Sequence, residues 1–80
     1  MARRVFQHFE AVTAVIPAPG SYQAAIAVKA LDGGGAPRFH GLLPGQTFST
    51  ADEADRAAES ELQRLLDVDA AAELVWPQEG

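Results

Sequence analysis

The eighty residues include no cysteine, one methionine, one tryptophan and one tyrosine, and set six Lys and Arg against eleven Asp and Glu. The missing cysteine excludes a disulfide framework and any thiolate metal site, so nothing covalent staples so short a chain. A chain of this length buries only about 60% of the surface its unfolded form exposes. Without staples, tight packing or self-association must supply the missing stability, and a homodimer or another protein partner is the expected remedy. The shortage of cations gives a net charge of −5, which opposes a polyanion at long range. Long apolar runs are also missing: no stretch approaches the roughly 20 residues of a membrane span. In MARRVFQHFEAVTAVIPAPG, polar Gln7, His8 and Glu10 interrupt the apolar core that a secretory signal requires. A cytoplasmic protein with no membrane partner is therefore expected.

What is present suits a folded domain. Hydrophobic residues make up 48% and charged residues 21%, unlike the low-hydropathy, high-charge composition of a disordered tail. The charge is uneven. The first 48 residues carry four cations (Arg3, Arg4, Lys29, Arg38) against two acids, and the remainder two cations against nine acids.

The stretch SYQAAIAVKAL alternates with period two, Tyr22, Ala24, Ile26 and Val28 on one face and Gln23, Ala25, Ala27 and Lys29 on the other, which reads as a half-buried strand. Ahead of it, RVFQHFEAVTAVI is rich in β-branched and aromatic residues and ends in PAPG, so the two form a hairpin. The first strand does not alternate cleanly, Val5, Phe9, Thr13 and Val15 sharing one parity and Phe6, Val12 and Ile16 the other, which predicts a bulge or an early irregular segment. RFHGLL is a third strand, with Phe39 opposite in sense to Arg38 and His40. LPGQ places Pro44 and Gly45 at the centre of a type II turn, and Gln46–Ser49 is a short fourth strand.

From Thr50 the signals for a helix agree. Thr50 and Glu53 have capping-box spacing, with Ser49 and Asp52 as an alternative one residue earlier. Asp52, Glu53 and Asp55 suit the positive end of the helix dipole. Ala54, Ala58, Leu62 and Leu65 form one apolar stripe. The expected fold is α+β: a three- or four-stranded antiparallel meander with one long C-terminal helix packed on one face. Residues 1–80 form a single domain, with strands within 4–49, the helix over about 51–67 and a short helical or irregular tail over 68–80. Its core is expected to hold Tyr22, Ile26, Val28, Phe39, Phe48, Ala54, Ala58, Leu62 and Leu65, and Trp76 to fold back over the core's edge.

Signals for chemistry are sparse. Ser21, Ser49 and Ser60 are accounted for as turn, cap and helix surface, and no spacing joins a nucleophile to an oriented base, so no catalytic residue and no enzyme activity are expected. His8, His40 and Glu10 fall on strands separated by a third, so neither a metal site nor a cofactor is expected. The glycine triplet 33–35 lacks the spacing of a phosphate loop and reads as a linker. Two binding readings remain. A strand face bearing Arg3, Arg4, His8, Lys29, Arg38 and His40 is a possible nucleic-acid surface, although no aromatic-basic cluster accompanies it. Gln23, Ala25 and Ala27 are small and nearly uncharged for a water-facing surface, and together with Trp76 they are a possible partner or dimer face, unless the tail from Val68 to Trp76 covers them.

Two resemblances are carried by particular residues. Tyr22, Ala24, Ile26 and Val28, followed by Gly45, Phe48, Thr50, Glu53 and Ala54, resemble a "Y-x-A-x-I-x-V" strand and "G-x-x-F-x-T-x-x-E-A" helix start. A group of small bacterial single-domain proteins with no assigned activity shares this pattern. It implies a sheet followed by one C-terminal helix. More distantly, LLPGQTFSTADEA is similar to the "D-L-P-G … T … E-A" passage of HicB-like antitoxins, with Leu42 in place of the aspartate; that likeness implies binding to a protein partner. The expectation is a non-enzymatic protein-binding or self-assembling module, with a nucleic-acid-binding domain as the alternative.

Overall fold

A computed structural model describes residues 2–33 and 35–77; the expectations for residues 78–80 and for the middle glycine of the triplet lie outside the described residues. The period-two stretches form strands β2 (Phe9–Ala18) and β3 (Ser21–Ala30), which pair along their whole length. Pro19 and Gly20 join them, the glycine at φ +73°, where a side chain would be strained. β1 (Arg3–Val5) and β4 (Arg38–Gly41) flank the hairpin, giving an antiparallel meander in the order β1-β2-β3-β4.

The irregularity expected early in the first strand is a turn ahead of Phe9. The Phe6 amide donates to the Phe9 carbonyl at 2.7 Å, and the chain doubles back so that Arg4 lies opposite Ala11. The fourth strand is therefore β1, at the N-terminal end. Gln46–Ser49, expected to be that strand, contributes only an isolated bridge between Phe48 and Tyr22. The Leu43–Gln46 turn forms as expected, closed by the Gln46 amide on the Leu43 carbonyl, with Gly45 at φ +83°.

Helix α1 (Ala51–Arg64) crosses β2 and β3 on one face. Its start is the capping box: the Thr50 hydroxyl accepts from the Glu53 amide at 3.1 Å, and the Glu53 carboxylate accepts from the hydroxyls of Ser49 and Thr50. Ala54, Ala58, Leu62 and Leu65 are all buried. Most of this stripe meets Ala11, Ala24, Ile26, Val28 and Leu42 in one core. Thr13, the only buried polar side chain among the described residues, bonds the Ala2 backbone.

The helix has 14 residues and ends at Arg64, three earlier than expected. Two effects stop it. Asp67, Asp69 and Glu73 would sit at the negative end of the dipole, and the guanidinium of Arg4 closes the last turn, donating to the carbonyls of Leu62 at 2.9 Å and Leu65 at 2.6 Å. The tail then neither extends nor restarts the helix. β5 (Asp67–Val68) pairs with β6 (Leu74–Val75), and the Asp69 carboxylate accepts from the amides of Ala71 and Glu73 to shape the turn between them. No helix among the described residues is long and apolar enough to cross a membrane.

Pro17 sits in β2 beyond the reach of β1. The Thr13 amide points to the β1 side, onto the Ala2 carbonyl, so by alternation position 17 faces that same outer edge, where its missing donor breaks no ladder bond.

Replacing Arg4 with methionine should cost about 2 kcal/mol of unfolding free energy, because two helix-end carbonyls lose a charged donor. A shift in the urea midpoint worth less than about 0.5 kcal/mol would show that the guanidinium does not hold the helix end. Its hydroxyl bonds from Ser49, then Thr50, keep the Glu53 carboxyl below its ordinary 4.5. A carboxyl with a depressed folded-state pKa stabilises the fold above its unfolded value and loses that contribution as pH falls through the folded one. Glu53→Gln should thus flatten the stability profile below about pH 4.5 and change its slope little between pH 6 and 8; an unchanged acid limb would refute the assignment.

Candidate interaction surface

The strand register sorts side chains between the two sheet faces. Arg4, Ala11, Thr13, Ala24, Ile26, Val28, Arg38 and His40 share the helix side. The opposite face is a grid of four rows. Val5, Glu10 and Lys29 form the first; Arg3, Val12, Ala27 and Phe39 the second; Ala14, Ala25 and Gly41 the third; Ile16 and Gln23 the fourth.

Phe39 is 58% exposed, which corrects its expected place in the core. Its strand pairs so that His40 lies opposite Ile26 and Phe39 opposite Ala27, and parity sends the ring to the open side. Tyr22 and Phe48 are half-buried, and Phe48 packs against the core's margin. Ala25 and Ala27 are buried although no layer covers them, since short side chains sit low between longer neighbours. Gln23 lies across Gly41: a Cβ at that glycine would meet its Nε2 at 3.0 Å. The result is a shallow apolar hollow floored by alanine and walled by Val12, Ile16, Gln23 and Phe39.

The tail lies on the other side of the sheet. Val68 is buried with the helix, Leu74 and Trp76 pack against the same core, and the tail is tied to β4 by Arg38 and His40. Arg38 pairs with Glu73 at 2.7 Å, and His40 Nε2 lies 2.8 Å from the Ala72 carbonyl oxygen. Trp76 is therefore separated from Gln23, Ala25 and Ala27, with which it had been grouped, and borders a cleft of about 320 Å³ beside Leu42, Pro44, Glu61 and Arg64.

The six basic positions expected on one strand face divide between two. Arg4, Arg38 and His40 are on the helix side and bond backbone carbonyls there. Arg3 and Lys29 are on the open face, with Arg3 held by Glu10 at 2.9 Å. His8 lies at the sheet end, lining a cavity of about 320 Å³ with Gln7, Leu31 and Asp32. Among the described residues no three His, Cys, Asp or Glu side chains are grouped as a metal site would need. Sequence reasoning missed Val12, Ala14, Ile16 and Phe39 as members of the open face. The signal was present for the first three: even-numbered parity in β2 matches odd-numbered parity in β3 once Pro19 and Gly20 fix the turn.

The face assignment predicts opposite responses to truncation in dilute solution. Ile26→Ala should cost about 2–5 kcal/mol by leaving a cavity, whereas Phe39→Ser should change stability by no more than about 0.5 kcal/mol. Comparable losses for both would place Phe39 inside after all. Comparison with protein-family models, with curated proteins and with solved structures found no match to this chain.

Proposed function

We propose that this chain is a non-enzymatic self-assembling module in which two copies stack their open sheet faces. The observation that carries this reading is the apolar grid of Val12, Ala14, Ile16, Ala25, Ala27 and Phe39, left uncovered by the chain's own helix and tail. Isolated exposed apolar residues are ordinary, but a contiguous apolar face rimmed by charge marks an interface.

Size sets the scale of the contact. Two ten-residue strands flanked by strands of 3 and 4 residues, at about 3.3 Å per residue and about 4.8 Å between strands, give a face of roughly 400 Å² in projection. Each partner of a standard-size complex contributes about 800 Å² of accessible surface, so stacking through this face makes a small contact of the reversible kind. Edge-to-edge pairing is the weaker route, since β1 and β4 have only 3 and 4 residues. The nucleic-acid reading is disfavoured because Arg4, Arg38 and His40 are committed to backbone carbonyls and Arg3 to Glu10.

Sedimentation in the micromolar range should give twice the 8.5 kDa chain mass. Ala14→Glu should return it to a folded monomer, since the row of Ala14, Ala25 and Gly41 holds no cation to pair with the two buried carboxylates. A wild-type chain that stays at the single-chain mass throughout that range would remove the proposal.

A further inference from the structure

The register points to one orientation for the pair: its two-fold axis runs parallel to the strands between β2 and β3, so that Glu10 of each copy faces Lys29 of the other. This inference rests on the stacking proposed above and specifies it. A closed two-fold exchanges identical surfaces, and when its axis is parallel to the strands it permits no slide along them. Every row of the grid must then face its own reverse.

That condition is met by the rows as they stand. The first row, Val5–Glu10–Lys29, reversed over itself sets each Glu10 against a Lys29 of the second copy, twice by symmetry. Lys29 has no ion-pair partner among the described residues, so its charge is available for this pairing. The second row, Arg3–Val12–Ala27–Phe39, sets the longer Val12 over the short Ala27 and lays the exposed Phe39 ring over Arg3, a cation–π arrangement. The third row opposes Ala14 with Ala25, and the fourth Ile16 with Gln23. Large residues fall on small ones and opposite charges on each other.

The other two-fold orientation, with the axis across the strands, reverses the order of the rows. It brings the first row over Ile16 and Gln23 and the second over Ala14, Ala25 and Gly41, so that Lys29 and the Arg3–Glu10 pair meet no charge of the other copy. Desolvation without a matching partner opposes that arrangement, whereas complementary charge favours the first.

Two charge-reversal variants separate pairing between copies from pairing within one. An E10K chain presents only cations in its first row, and a K29E chain two carboxylates beside Arg3. Each alone should dimerise at least about tenfold more weakly than wild type, while a one-to-one mixture of the two should form a hetero-pair within about threefold of wild-type affinity. Contacts within each chain remain mismatched in the mixture, so recovery there reports only the contact between copies. A mixture no tighter than its components would overturn the orientation. If the variants fail to fold, a nitroxide label on Pro19→Cys in the otherwise wild-type chain decides it. The parallel axis places the two β2–β3 turns at the same end, about 10–20 Å apart, and the crossed axis at opposite ends, about 40 Å apart. A wild-type monomer would remove the stacking itself, and a dimer with distant labels would remove only the orientation.

Discussion

Everything in this fold depends on the contact between the alanine and leucine stripe of α1 and one face of the β2–β3 hairpin. Ala58 and Leu62 meet Ala11, Ala24, Ile26 and Val28, and at Ala24 and Ala58 neither surface has a side chain large enough to hold the layers apart. Close approach of backbone layers lets a short chain reach interior packing density with few large residues. The same contact decides what remains outside. With the helix and the β5–β6 tail on one side, no described element lies on the other, and the described residues form a slab whose thinnest extent is 18 Å. An uncovered apolar face follows from that layout.

Arg4 ties the two ends of the sequence together. It comes from the first strand and satisfies carbonyls 58 and 61 residues later, with Phe6 beneath its guanidinium at 4.8 Å. Arg38 and His40 do similar work for the tail. Basic residues that read as a ligand surface in one dimension are, in three, the fasteners of the helix end and the tail.

The parts legible in the sequence are those fixed by chemistry within a few residues. The Thr50–Glu53 cap, the Pro44–Gly45 turn, the alternation from Tyr22 to Val28 and the helical stripe each depend on neighbours close in the chain, and each appears where expected. Phe39 was misplaced because a four-residue strand has too little periodicity to show its own facing; only pairing with β3 fixes it. For the tail the sequence leaves helix and irregular chain both open, because local propensity allows a helix there; what prevents one is Arg4 and the buried site that receives Val68. The open face was half legible, through Gln23, Ala25 and Ala27, and its other half needed the hairpin register.

Pro17 bears on how far assembly can proceed. Past the end of β1, the outer margin of β2 offers Val15 with both backbone groups and then Pro17 with only an acceptor. An incoming strand would find its own carbonyl unanswered at that point, so the ribbon resists lengthening sideways into a fibre. The proposed stacking through the open faces, by contrast, would consume the sticky side of both molecules at once and so would terminate at two.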